Sequence, residues 1–299
     1  MRARTVKSDA LLLLTAAIWG CAFVAQRVGM DHVGPLTFNG VRFALGAAAL
    51  APLIRWMERG RAATAVLPRA NVRFLCWGGL AAGIALFFGA TLQQWGMLYT
   101  TAGKAGFITG LYVVFVPLIA LAFRQRAGLG AWLGVGLAVF GMYLLSFGGL
   151  HAGAGEVNRG DLLELACALC FAGHVLVIGK LSPGMGAADA VKLSSVQFAV
   201  CSVLSLAGAV WLEEVTLSGV LAAGIPILYG GLMSVGVAYT LQVVAQRDAD
   251  SSHAAIILSL EAVFAALAGW ALLGETLSTP GLIGCGLMLT GMLVSQLKS

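Results

Sequence analysis

Ten times in 299 residues this chain runs for close to twenty positions with almost no charge, and only short polar breaks separate the runs. An α-helix rises about 1.5 Å per residue, so about 20 apolar residues cross the roughly 30 Å hydrocarbon core of a bilayer. The runs fall at 9–28, 35–55, 71–95, 101–123, 129–147, 160–180, 189–211, 220–245, 251–273 and 279–297. Composition points the same way: 60% of residues are hydrophobic and 10% charged, where soluble domains carry about 25% charged residues. So little charge cannot cover a soluble core of this size. Lipid is the solvent, and the expected fold is an all-α membrane protein of ten transmembrane helices.

The first run is too long for a signal-peptide core, and Trp19 is bulky where a cleavage site wants small residues. It reads as a retained first helix. With the N-terminus inside, Arg2, Arg4, Lys7, Arg55, Arg59, Arg61, Arg69, Arg73, Arg124, Arg126, Lys180, Lys192, Arg247 and Lys298 flank the spans on the cytoplasmic side. Arg27, Lys104 and Arg159 fall on the other. This asymmetry predicts both termini in the cytoplasm, and the expected location is a bacterial inner membrane, crossed many times. The net charge of +5 is therefore a topology signal, and no nucleic-acid partner is expected.

The chain also repeats itself. Thr101–Val116 and Asp250–Ala265 align at an offset of 149 positions, which sets Tyr112 against Glu261 and Phe115 against Phe264. Val41-Arg42-Phe43-Ala44 aligns with Val196-Gln197-Phe198-Ala199, and Thr91-Leu92-Gln93 with Thr240-Leu241-Gln242. Gly134-x-Gly136-x4-Gly141-Met142 recurs as Gly284-x-Gly286-x4-Gly291-Met292. The halves are residues 8–147 and 160–297, five spans each. Five is odd, so the second half is expected upside down relative to the first. Inverted repeats of this kind hold a substrate site near the bilayer midplane and expose it alternately to either side.

With these features the chain resembles the EamA family of the drug/metabolite transporter superfamily. The resemblance rests on Trp19-Gly20-x-x-Phe23, Arg42, the run Ala254–Phe264, Leu273-Gly274-Glu275 and the glycine-rich fifth and tenth spans. It covers essentially the whole chain, as two copies. It implies a basket of helices around a cavity lined by spans one to four and six to nine, with spans five and ten peripheral or at a homodimer contact. It further implies export of metabolites, with similarity to the amino-acid exporter branch, aromatic amino-acid exporters included. The first half departs from the pattern: Arg124-Gln125-Arg126 stands where the second half has Gly-Glu.

Polar residues inside apolar spans are the candidate site. A charge at the bilayer centre costs about 2.5–3.5 kcal/mol on insertion scales, so Glu261 must face protein, water or substrate. It reads either as a proton-coupling carboxylate, as a contact for a substrate amino group, or as a neutral structural residue. Arg42 either holds a substrate carboxylate or locks helices together. His174 either pairs with Glu261, lines the cavity or packs. Gln93 and Gln242 need partners wherever they are buried. Tyr99, Tyr112 and Tyr239 offer hydroxyls. Trp19, Phe23, Phe88, Trp95 and Phe107 either form an apolar pocket or pack as ordinary membrane aromatics. Pro117 and Pro226 are candidate hinges. Lys104 is expected to snorkel to headgroups, and Glu164, near the outer end of its span, to reach water.

No cofactor, metal or catalytic site is expected. Cys167 and Cys170 form a lone CxxC with no second pair, and the glycines lie inside apolar spans, where they serve close helix contacts rather than phosphates. The expected function is export of small metabolites, amino acids by preference, with protons as an optional second partner. The alternatives are a multidrug exporter of lipophilic cations and a lipid scramblase.

Overall fold

Inside a bilayer no water satisfies backbone N–H and C=O groups, so a chain this apolar must close its hydrogen bonds within helices. The structure, a computed structural model, describes residues 2–63, 71–122, 129–147, 158–249 and 251–294. The Arg124–Arg126 departure, Arg69, most of the break between the halves and Lys298 lie outside the described residues. All regular structure among the described residues is helical: α1 Arg2–Gly29, α2 Pro35–Ala63, α3 Val72–Gly96, α4 Ala102–Thr109, α5 Tyr112–Ala122, α6 Leu129–Phe147, α7 Arg159–Leu181 and α8 Ala187–Leu212. Then come α9 Leu217–Ala222, α10 Gly224–Leu228, a π-helical segment Tyr229–Tyr239, α11 Thr240–Ala245, α12 Ser251–Leu258, α13 Glu261–Leu273 and α14 Thr279–Val294. Eight of the helical spans among these residues are long and apolar enough to cross a membrane. The apolar stretches in α6 and α14 are shorter. Asn158 caps α7, accepting from Gly160 N at 2.8 Å.

Three runs expected to be continuous are broken, the eighth at Ala223 near its start and two others in mid-span. The fourth divides at Gly110–Leu111 and the ninth at Ser259–Leu260. Both breaks are tight turns, and they match bond for bond. Leu111 N donates to Ile108 O at 3.1 Å, Val113 N to Gly110 O at 3.2 Å and Val114 N to Leu111 O at 2.9 Å. At the same offset of 149, Leu260 N donates to Ile257 O at 3.2 Å, Ala262 N to Ser259 O at 3.1 Å and Val263 N to Leu260 O at 3.0 Å. The physical causes differ. Gly110 is a poor helix former, whereas Ser259 Oγ donates back to Ile256 O at 2.7 Å, competing with the helix ladder.

The spans close into a ring. α1 packs on α13, α13 on α4, α4 on α7, α7 on α3, α3 on α8, α8 on α2, α2 on the π segment, and that segment on α1. Every neighbour in this sequence comes from the opposite half of the chain, so the two halves interleave. α6 and α14 pair with each other away from the ring's centre. Gly20 sets the α1–α13 spacing: a Cβ there would come 2.8 Å from both the Ala265 nitrogen and the Glu261 carbonyl. The π segment is stitched to α1. Thr15 Oγ1 donates to Ala238 O at 3.3 Å, Trp19 Nε1 to Ser234 O at 3.2 Å and Tyr229 Oη to Ile18 O at 3.0 Å. π-helical turns displace carbonyls from the ordinary ladder, and two of these bonds are received by carbonyls of that segment.

Candidate functional site

The ring surrounds a narrow cavity whose free space, about 30 Å³, is that of one or two waters. Its wall includes Trp19, Ala22, Phe23 and Gln26 of α1, Arg42 of α2, Gln93 of α3, Thr109 and Tyr112 at the first break, and Phe171, His174 and Val175 of α7. Ser234, Tyr239, Gln242 and Glu261 complete it.

Arg42 is 2% exposed. Its Nε donates to Asn39 Oδ1 at 3.0 Å, and Asn39 Nδ2 in turn donates to Ala90 O of α3 at 3.0 Å. The guanidinium carbon lies 5.5 Å from the Phe38 ring centroid and 5.1 Å from that of Phe43, a cation–π cradle that fixes the charge. Among the described residues no carboxylate pairs with it. Glu261 is 4% exposed, stands at the first position of α13, and likewise has no cationic partner among the described residues. Tyr112, its counterpart in the first half, faces it from the other break without completing a hydrogen bond. The two breaks thus deliver a phenol and a carboxylate to one space.

Around these charges the wall is aromatic and amide. Tyr239 is the hub: its ring centroid is 4.5 Å from Trp19, 6.0 Å from His174 edge to face, and 6.1 Å from Phe43. His174 bonds Gln197 Oε1 through Nε2 at 2.8 Å, not Glu261. Gln93 Nε2 donates to Thr109 Oγ1 at 3.4 Å, and Gln242 Nε2 to Gln246 Oε1 at 3.0 Å. Gln26 Oε1 and Gln242 Oε1 are buried acceptors without partners among the described residues. A buried guanidinium, a buried carboxyl group, open amide acceptors and aromatic faces thus line one space.

Nine sequence-derived candidates meet at this cavity: Trp19, Phe23, Arg42, Gln93, Tyr112, His174, Tyr239, Gln242 and Glu261. Four do not. Phe88 is 53% and Tyr99 55% exposed on the outer surface of the ring, Trp95 stands outside the lining, and Phe107 is buried in the packing behind it. Pro117 lies within α5 and Pro226 within the short α10. Gln26, Thr109, Phe171 and Ser234 line the cavity and were not singled out by sequence. For Gln26 the signal was available, as an amide inside an apolar run.

Two expectations are corrected where α4 meets the start of α7. Glu164 does not reach water: it is fully buried, and its Oε2 accepts from Thr109 Oγ1 at 3.0 Å. Lys104 does not snorkel. Its Nζ pairs with Asp161 Oδ2 at 3.0 Å, because α4 packs on the first turns of α7. Glu275 is a helix cap. Gly274, with φ +67°, turns the chain back after α13, and the Glu275 carboxylate accepts from Ala102 N at 2.8 Å and Gly103 N at 2.9 Å. Glu213, which follows α8, does the same for α2, accepting from Leu36 N at 2.7 Å, Thr37 N at 2.8 Å and Thr37 Oγ1 at 2.7 Å. Carboxylates at helix N-termini are favoured by unpaired N–H groups and the helix dipole.

Known proteins carry the same plan. The family model described as EamA-like transporter family matches residues 6–147 and again 158–296. A protein of Archaeoglobus fulgidus named an uncharacterized transporter is 33% identical over 97% of this chain and 86% of its own length. The Escherichia coli K12 protein named uncharacterized inner membrane transporter YedA is 26% identical over 87% of this chain and 81% of its own. A solved crystal structure superposes with a TM-score of 0.67, covering 97% of this chain and 96% of that one at 18% identity. At that identity it shows a shared fold alone.

Proposed function

This chain belongs to the EamA-like transporter family, and on that premise we propose that it is a secondary transporter exporting small metabolites, amino acids by preference, by alternating access. Ten transmembrane helices in two inverted five-helix repeats carry out the rocking, with both termini in the cytoplasm. The matched hydrogen bonds of the two helix breaks and the strict alternation of halves around the ring support that arrangement.

One observation carries the substrate class. Arg42 and Glu261 are buried, share one cavity, and lack opposite charges among the described residues. A bound amino acid supplies both missing charges, its carboxylate to Arg42 and its ammonium to Glu261, while Trp19, Phe23 and Phe171 receive the side chain. Counterflow in proteoliposomes tests this. Protein loaded with one unlabelled amino acid at a time is followed by labelled uptake, with and without a pH gradient. Saturable exchange that is lost in Arg42→Ala is the expected result. Exchange driven by a proton gradient and abolished in Glu261→Gln would make that carboxylate a coupling group, whereas exchange indifferent to pH leaves it a binding group.

The closeness of Trp19 and Tyr239 beside Glu261 favours a second reading, a lipophilic-cation exporter. In that case Arg42 is structural, and efflux of a quaternary aromatic cation survives its removal while no amino acid exchanges.

A further inference from the structure

Glu164 is a buried ionisable group that the cavity does not itself contain. It stands near the start of α7 at 0% exposure. Its Oε2 is held by Thr109 Oγ1, but Oε1 is buried with no hydrogen-bond partner among the described residues. The groups around it supply no counter-ion. On α7 its neighbours are Asp161 and Cys167, the latter with Sγ 4.0 Å from Thr109 Oγ1. On α4, Lys104 is engaged by Asp161. From α13, Glu261 adds a second negative group. α3 presents Gly96, where a Cβ would come 2.7 Å from Oε1, so the space for this carboxylate exists only because residue 96 is glycine.

Thr109 connects this group to the cavity. Thr109 is part of the cavity wall, at the last position of α4 before the break, and its hydroxyl also accepts from Gln93 Nε2 at 3.4 Å. A hydroxyl has one hydrogen and two lone pairs. While Glu164 is ionised, the Thr109 hydrogen is committed to Oε2 and the cavity meets the oxygen. Once Glu164 takes a proton, the carboxylic acid donates to Thr109 Oγ1. Gln93 occupies the second lone pair, and the hydroxyl hydrogen turns toward the cavity. Thr109 changes from acceptor to donor at the substrate's side of the wall.

We propose that Glu164 is a proton-binding site whose occupancy is read in the cavity through Thr109, which links proton binding to solute binding. The proton reaches it from the outer end of the ring, where the Asp161–Lys104 pair stands between Glu164 and the surface and Lys104 is 17% exposed. Linkage is reciprocal, so a solute that prefers a donor at Thr109 favours protonated Glu164, and one that prefers an acceptor expels the proton. The proposal rests on the transport reading only for its consequence; the protonation itself is measurable without any solute.

Infrared spectroscopy of the purified protein in lipid nanodiscs, titrated over pH, reads protonated buried carboxyls directly. The expected result is a carboxylic-acid C=O component removed by Glu164→Gln and distinct from that removed by Glu261→Gln. Thr109→Val is expected to shift its frequency without abolishing it, and Thr109→Ser to restore it. A spectrum with no component assignable to Glu164, or one unmoved by Thr109→Val, overturns the proposal. If Glu164→Gln does not fold, the Thr109 pair decides alone. In proteoliposomes, counterflow of labelled leucine should lose its pH dependence in Glu164→Gln and in Thr109→Val. Retention of the wild-type pH profile in both overturns the link. Absence of counterflow with any amino acid defeats the substrate reading, and the infrared result then stands or falls separately.

Discussion

The Glu213 carboxylate is the test of how α8 is fastened to the start of α2. It follows α8 yet accepts three hydrogen bonds from the first turn of α2, which has no acidic residue of its own. A hydrogen bond to a charged group is worth about 1.5–3 kcal/mol net when buried. Glu213 is half-buried, so the three do not add at that value. Loss of an ordinary N-cap costs about 1 kcal/mol and up to about 2. Between these bounds, Glu213→Ala should destabilise by about 2–3 kcal/mol. Glu213→Gln keeps one acceptor but turns an amide N–H₂ toward a backbone donor, and should cost about 1–2 kcal/mol. The assay is SDS-driven unfolding in mixed micelles. Thr37→Ala, alone and combined with Glu213→Ala, is added because residues sharing a bond couple non-additively. If both Glu213 variants unfold within about 0.5 kcal/mol of wild type, as surface substitutions do, the carboxylate does not fasten α8 to α2 and the reasoning fails.

Four further outcomes follow from the same geometry. Gly141→Ala drives a Cβ to 2.6 Å from the Gly284 carbonyl and 2.9 Å from the Met288 nitrogen; backbone cannot yield cheaply, so a loss of about 1–3 kcal/mol is expected in the same unfolding assay. Gly136→Ala, in the same motif, meets nothing within 4 Å and should gain up to about 1 kcal/mol through helix propensity. Trp19→Phe removes the donor to Ser234 O, and should cost about 1 kcal/mol of stability and raise the KM for counterflow. Arg42→Lys keeps the charge but loses the Nε bond and the planar stacking, and should weaken substrate binding by about 2 kcal/mol, roughly thirtyfold in apparent Kd.

The polar half of the cavity was legible in the sequence and the aromatic half was not, for one physical reason. In water, burial marks one helix face as apolar and the pattern betrays which side points inward. In lipid the outward face is apolar as well, so the stripe vanishes and only a polar side chain identifies the interior. Arg42, Gln93, His174, Gln242 and Glu261 were therefore found. Phe88 and Tyr99, which look outward, could not be told from Trp19 and Phe23, which look in. Depth along a span misled for a different reason. Glu164 lies near a helix end, and distance from the end measures access to water only if no neighbour covers it. α4 covers it, and packing of α4 on α7 is a tertiary fact. The helix breaks were hidden because the turn at Gly110 and the back-bond of Ser259 change hydrogen bonding without changing hydropathy.

The closure of α1 on α13 also has a consequence for biosynthesis. Glu261 follows Trp19 by 242 positions, and at 5–20 residues per second the ribosome needs roughly 10–50 s to travel between them. For most of that interval Arg42 is in the membrane while the ninth span has not been made. A nascent chain must therefore shelter this cation with headgroups, water or insertion machinery until the last wall arrives.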